Sequence, residues 1–257
     1  MNGYFLTDKG QVRDHNEDDG GVFLNQDKQM LALIADGMGG HNAGDIASKM
    51  VIQELSEKWK QTTTFDSPGE AESWLSESIL HVNNDVYEYA QAHENCVGMG
   101  TTIVAVICSP DFITIGHIGD SRCYLFNNQG FNQITEDHSL VNELVRAGQI
   151  SRDDAEYHPR KNVLLKALGT EKDVHADVQT IGWEKTDKLL LCSDGLSNKL
   201  AEEELQQFIN SSQPIDETAR ELIELANERG GEDNISLALI HYHHTIEDSQ
   251  KEGESTC

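Results

Sequence analysis

The sequence predicts an α+β fold built on antiparallel sheets. Two observations carry that expectation: strand-like runs come in clusters, and helical stretches come in pairs. A third excludes the main alternative, because the strict strand–helix–strand alternation of a doubly wound parallel sheet is missing. Residues 4–7, 21–24 and 30–35 open the chain as short runs of strand length. A helix is expected over 44–59, where Ala47, Val51, Leu55 and Trp59 keep one face apolar. A second is expected over 70–92, with Leu75, Ile79, Val82, Val86 and Tyr89 at the same spacing. Residues 102–108, 112–118 and 122–126 form the next cluster of strands, followed by 174–181 and 188–192. Between them, residues 137–169 are polar, carry His138, Arg152, His158 and Arg160, and fit no long strand; an inserted subdomain of helix and loop is expected. A second helix pair follows at 201–210 (Leu205, Phe208, Ile209) and 215–228 (Ala219, Leu222, Ile223, Ala226), ahead of a last strand at 235–241. Residues 1–245 are expected to form one domain, and 246–257 a charged, frayed tail.

With 257 residues, 37% of them hydrophobic, the chain is long enough to bury a sizeable core. Lys and Arg number 19 against 45 Asp and Glu, a net charge of −26. Such a field repels nucleic-acid backbones and anionic membrane surfaces, so neither is an expected partner. It also repels a phosphorylated ligand, unless cations held in the site reverse the sign locally. No window approaches the ~18 consecutive apolar residues of a membrane span, and the first residues show neither the basic nor the apolar region of a signal peptide. Five cysteines is an odd number, and Cys108, Cys123 and Cys192 sit inside apolar runs, as small core residues do. A cytoplasmic chain without a disulfide framework is the expectation.

The informative feature is where the aspartates fall. The apolar run 30–35 leads straight into Asp36-Gly37-Met38-Gly39-Gly40-His41, and 112–118 leads into Gly119-Asp120-Ser121-Arg122. The run 188–192 leads into Ser193-Asp194-Gly195, while Asp233-Asn234 stands just before the last strand. Near the N-terminus, Arg13-Asp14-His15-Asn16-Glu17-Asp18 precedes another strand. One acidic residue at a strand end usually marks a turn. Five such places are different, because sheets gather strand ends along an edge, and converging carboxylates repel one another unless divalent cations lie between them. All-oxygen ligation points to hard cations, Mg²⁺ or Mn²⁺, rather than zinc.

The ordered set RDHNED, ADGMGGH, GMGTT, GDSR, SDGL and EDN resembles the metal-dependent protein serine/threonine phosphatases of type 2C, in particular their compact bacterial members. The resemblance runs to about His241. It implies a central sandwich of two antiparallel sheets flanked by helix pairs, with 137–169 as a flap subdomain beside the active site of a single catalytic domain. It implies that Asp36 bridges two metals, that Gly37 lends its carbonyl to one, and that Asp194 and Asp233 complete the other site. Asp120 matches the ligand of a third metal, shared with Asp194. Glu17 and Asp18 match an acidic pair that orients metal-bound waters, and Asn234 would steady the last ligand. Arg13 matches an arginine that grips the substrate phosphate. The implied reaction is direct hydrolysis of phosphoserine and phosphothreonine in proteins, by a hydroxide bridging two Mn²⁺ or Mg²⁺ ions, without a phosphoenzyme. Implied partners are phosphorylated proteins and an opposing bacterial Ser/Thr kinase or its substrates, with a monomer as the default state.

One departure stands out. Where the eukaryotic branch has a histidine directly after Asp-Gly, this chain has Met38, which cannot donate a proton. His41 is the nearest candidate general acid by type; contact with substrate, a cap on the following helix, and protonation by metal-bound water are the alternatives.

Other readings carry less. Gly37-x-Gly39 followed by a helix echoes a dinucleotide-binding turn, but Asn42 stands at the third glycine position and Asp36 would face a pyrophosphate with like charge. The residues six positions beyond Cys96, Cys108, Cys123 and Cys192 are Thr102, Thr114, Gln129 and Asn198, so the arginine of a cysteine-based phosphatase is missing. The HYHH run from His241 is expected to be a surface strand end rather than a metal site, and GMGTT a tight turn before a core strand. The rival from another class is a pseudophosphatase that binds without turnover; it would have lost a metal aspartate, whereas Asp36, Asp194 and Asp233 are all present.

Overall fold

A computed structural model describes residues 1–40 and 43–242. Two antiparallel sheets lie face to face, each covered on its outer side by a pair of helices. The first sheet has the order β1 (Asn2–Asp8), β11 (Ile235–His241), β10 (Lys188–Cys192), β7 (Arg122–Asn127), β8 (Gly130–Gln133). The second runs β2 (Asp18–Leu24), β3 (Met30–Met38), β5 (Ile103–Cys108), β6 (Phe112–Ile118), β9 (Asp177–Gly182), with the short β4 (Gly100–Thr101) also paired to β3.

Both faces of each sheet are buried, which is why the central strands read as unbroken apolar runs rather than alternating ones. Alternation survives in where the side chains go. On β3, Ala32 and Ile34 enter the core between the sheets with Val104, Val106, Ile113, Ile115, Leu189, Leu191, Ala238 and Ile240. Leu31, Leu33 and Ala35 point the other way, onto α1 (Ala43–Lys60) and α2 (Pro68–Ala92), where Val51, Leu55, Trp59, Leu75, Ile79 and Val82 are fully buried. The outer face of the first sheet presents Tyr124, Leu190, Leu237 and Leu239 to α6 (Glu202–Asn210) and α7 (Ile215–Glu228), which meet it with Leu205, Leu222 and Ile223.

The helical stripes lie where periodicity placed them, and the ends show why the limits differ. α2 begins two residues before the expected start: Ser67 caps it in a capping box with Glu70, and Pro68 occupies the first helical position, where a missing N–H costs nothing. The strand expected over 174–181 is β9, Asp177–Gly182, because only those residues pair with β6. Strand β8 escapes a reading by burial pattern, being an edge strand with no buried residue. The insert 137–169 carries two short helices, α3 (Leu140–Arg146) and α4 (Arg152–Glu156). His241 is buried, not a surface strand end, because Lys188 and Asn2 pair with it from both sides. His243, His244 and the tail lie outside the described residues. The four described cysteines are free and buried, and no helix among the described residues is long and apolar enough to cross a membrane.

Candidate metal centre

The carboxylates meet where the two sheets share an edge. On the second sheet, β2 and β3 pair in a register that sets Asp18 opposite Asp36. On the first, β10 lies between β11 and β7, so the end of β10 that leads into Asp194 sits beside Asp233, just before β11, and beside the start of β7. The connection from β6 to β7, Gly119-Asp120-Ser121, crosses from one sheet to the other at this edge and brings Asp120 with it. Asp194 itself opens a single helical turn, α5 (Asp194–Ser197), where Asn198 Nδ2 donates to its Oδ2 at 3.0 Å.

Two glycines allow the backbones to come this close. A Cβ on Gly37 would lie 2.2 Å from the carbonyl oxygen of Gly44, at the start of α1, and 2.5 Å from that of Glu17. A Cβ on Gly195 would lie 1.9 Å from the carbonyl oxygen of Asn234. No side chain fits at either position.

Hydroxyls and one amide fix the acidic loops. Thr102 Oγ1 accepts the Asp36 N–H at 2.9 Å and is 2.7 Å from Ser121 Oγ, tying β3 to the Asp120 turn. Ser193 Oγ donates to Asp18 Oδ2 at 2.7 Å. Asn234 is buried and makes three bonds into the N-terminal acidic segment: its Oδ1 accepts the Glu17 N–H at 2.8 Å, and its Nδ2 donates to Lys9 O at 2.8 Å and His15 O at 2.9 Å. Asn234 therefore steadies Glu17 and Asp18 directly. Arg13 donates through Nη2 to Asp233 Oδ2 at 2.8 Å and through Nε to Glu232 O at 3.3 Å, which leaves three of its five N–H donors for an incoming anion.

The electrostatics are those of a site short of positive charge. Burial pushes Asp18 up to about 7 against the hydroxyls of Ser236 and Ser193, with Asp194 and Asp233 adding to the rise. Burial, then Asp18, Asp194, Asp120 and Asp233, holds Asp36 well above the carboxylate range. Burial and Asp194 push Asp120 to about 7, and burial and Asp233 push Asp194 to about 6. Glu17 is raised by burial, partly offset by Arg13. Asp18 Oδ1 is shut off from solvent and has no hydrogen-bond partner, although a buried carboxylate oxygen normally has one. An orphaned oxygen among mutually repelling carboxylates, all donors being oxygen, fits hard divalent cations.

Of the residues singled out in the sequence, Arg13, Glu17, Asp18, Asp36, Gly37, Asp120, Asp194, Asp233 and Asn234 come together here. His41 lies outside the described residues. Thr102 and Ser193 carry structural duties that the sequence reading missed; for Ser193 the signal available was a hydroxyl residue between an apolar run and an aspartate, whereas Thr102 has no aspartate beside it in the chain. A further contact ties the insert to the site: Arg122 grips Asp137 with Nε at 3.0 Å and Nη2 at 2.7 Å.

A family model described as protein phosphatase 2C matches residues 8–237. The serine/threonine phosphatase stp of Listeria innocua is 48% identical over 240 residues, covering 93% of this chain and 95% of that protein. The crystal structure of serine/threonine phosphatase Stp1 from Staphylococcus aureus superposes with a TM-score of 0.90 at 38% identity, covering 94% of this chain and 95% of that one. The catalytic domain of the serine/threonine phosphatase PstP, solved in complex with two manganese ions, superposes with a TM-score of 0.81 at 31% identity, covering 93% and 96% of the two chains.

Proposed function

The chain belongs to the protein phosphatase 2C family, and on that premise we propose that it hydrolyses phosphoserine and phosphothreonine in proteins with divalent metals held by Asp36, the Gly37 carbonyl, Asp194 and Asp233. Asp120 holds a third metal together with Asp194. The single observation that carries this reading is the gathering of Asp18, Asp36, Asp120, Asp194 and Asp233 at one sheet edge, where burial and neighbouring carboxylates raise the pKa of Asp18, Asp36, Asp120 and Asp194. When bound, the ions supply positive charge for the phosphoryl oxygens and acidify water.

The protein's own groups do the rest. Hydrolysis joins a water oxygen to phosphorus, breaks the bond from phosphorus to the serine or threonine oxygen, and returns a proton to that leaving oxygen. Arg13 presents its free N–H donors to the phosphate and offsets the charge that builds on it. Glu17 and Asp18, held by Asn234 and Ser193, accept hydrogen bonds from water at the centre. His41 is the protein's candidate proton donor to the leaving oxygen. The insert 137–169 acts as a flap that brings His158, Arg152 and Arg160 toward a phosphopeptide on an otherwise acidic surface. On this reading the protein is a cytoplasmic monomer with a single catalytic domain over residues 1–245, and it opposes a Ser/Thr kinase.

Hydrolysis of a phosphothreonine peptide with and without chelator, in wild type and Asp36→Ala, tests the reading. Turnover should require added Mn²⁺ or Mg²⁺ and vanish in the variant together with metal binding. Full turnover after exhaustive metal removal would sink the metal mechanism.

A further inference from the structure

Beside the carboxylate cluster, His117, His138 and Asp177 bring ligand atoms within 4.8 Å of one another. Their hydrogen bonds show what they do. His138 Nδ1 accepts the Gly119 N–H at 3.1 Å. A backbone N–H can only donate, so Nδ1 carries no hydrogen and the neutral ring holds its proton on Nε2, which faces Asp177 Oδ2 at 3.3 Å. His117 Nε2 is engaged by Glu136 O at 2.9 Å, and the Lys166 ammonium already neutralises Asp177 at 3.0 Å. Each of the three side chains thus has a partner within the protein, and together they form an anchor. What they anchor is the residue before Asp120.

We propose that His138 is a positioning residue for the metal at Asp120: by clamping Gly119 it fixes the turn that carries Asp120 and so sets how tightly that metal binds. The proposal rests on Asp120 being a ligand, as inferred above. Both polar backbone groups of Gly119 go to His138, its N–H to the ring and its carbonyl to the His138 N–H at 2.9 Å. Gly119 has φ +107°, and a Cβ there would meet Thr102 Cγ2 at 2.5 Å. The turn therefore needs glycine, the most permissive backbone, and its order has to come from a partner. His138 is itself well held. Its ring stacks on His117 with centroids 4.7 Å apart and planes 11° from parallel, and its carbonyl accepts the Leu165 N–H at 2.8 Å. That last bond, with Leu140 N–H to Val163 O at 2.8 Å, closes the base of the insert. His138 thus joins the flap and the Asp120 turn in one hydrogen-bonded unit.

The test is a calorimetric Mn²⁺ titration of wild type, Asp120→Asn, His138→Ala and His138→Asn, with thermal unfolding in chelator to confirm that each is folded. Asp120→Asn should lose the weakest binding event. His138→Ala should keep the tighter events and weaken that last one by about tenfold or more, the scale on which a ligand's hydrogen-bonded support matters. His138→Asn should restore it, because the Asn Oδ1 takes the place of Nδ1 and accepts the Gly119 N–H. Should His138→Ala fail to fold, Asp177→Ala, at an exposed position, removes the ring's anchor and should weaken the same event. An unchanged last event in the folded variants, with Asp120→Asn losing it, overturns the proposal. So does an Asn variant as weak as the Ala variant, which would show that ring packing, not the acceptor, matters. If Asp120→Asn itself keeps every event, the proposal falls with the ligand assignment, and the failure is traced there.

Discussion

Replacing Asn234 with Ala should loosen the entire N-terminal acidic segment without touching a metal ligand. The side chain is buried and makes three hydrogen bonds, to the Glu17 N–H, Lys9 O and His15 O, all between 2.8 and 2.9 Å. Each contributes about 1 kcal/mol net, so losing all three costs about 3 kcal/mol. For a domain of this size 1 kcal/mol moves Tm by roughly 2–4 °C, giving a fall of roughly 6–12 °C in chelator. The loss is local in origin, so hydrogen exchange at the Glu17 amide should accelerate more than exchange within β3 or β11. Mn²⁺ affinity should weaken as well, because Glu17 and Asp18 follow the segment. Scanning calorimetry, exchange at Glu17 and an Mn²⁺ titration check the three consequences together. A Tm within about 2 °C of wild type, with the Glu17 amide still protected, would refute the view that Asn234 is the staple of this loop.

Arg13→Ala should leave metal binding intact, since Arg13 donates to Asp233 and is not itself among the proposed ligands, and should lower kcat/KM by about ten- to a thousandfold, as expected for a transition-state phosphate contact; metal loss equal to that of Asp36→Ala would show Arg13 to be misassigned. The raised carboxylates give the metal-free protein a pH signature. A carboxylate whose folded pKa lies above its unfolded value stabilises the fold below about 4 and loses that contribution as pH rises through the folded value. For Asp18, Asp120 and Asp194 the loss therefore spans roughly pH 4 to 7, so Tm in chelator should fall over that range and recover on adding Mn²⁺ at the upper end. Asp18→Asn should accordingly raise the metal-free Tm at neutral pH and leave it unchanged near pH 4; a lower Tm at neutral pH would reverse the sign of the argument. Gly37→Ala drives a methyl to 2.2 Å from Gly44 O and should cost about 3 kcal/mol or more by overpacking, seen as a lower Tm and lost Mn²⁺ binding; a variant with wild-type values of both would show that the α1 start yields freely.

The sheet strands and main helices were legible because their side chains repeat with the period of the element that buries them. α7 fell on the expected limits because its stripe, Ala219, Leu222, Ile223 and Ala226, is continuous and runs to within two residues of its end at Glu228. Strand β8 was not legible, since an edge strand with no buried position has no pattern to show. The start of α2 was misjudged by two residues because Ser67 and Pro68 act through capping, not through hydrophobic spacing. At the site, Asp120, Asp194 and Asp233 could be located beside strand ends, whereas Asp36, expected just past the end of a strand, lies inside β3, which runs on to Met38 because Gly37 and Met38 pair with Thr101 and Gly100. Thr102 and Ser193 could not be separated from ordinary turn residues, because their partners, Asp36 and Ser121 in one case and Asp18 in the other, are remote in the chain.

By itself the sequence determined where the apolar runs lie and which of them lead into an aspartate, which faces of the helices are apolar, and that the protein carries a net charge of −26. These are local properties, written in residue type and spacing. Only the tertiary structure decided which strand ends meet. The pairing of β2 with β3 sets Asp18 against Asp36, the place of β10 between β11 and β7 brings Asp194 beside Asp233, and the crossing from β6 to β7 adds Asp120. The raised pKa of these groups follows from that meeting, since burial and like-charge repulsion depend on distances across the fold rather than along the chain. The support given to Glu17 by Asn234 and to Gly119 by His138 is of the same kind: a hydrogen bond joins residues that no period along the sequence connects.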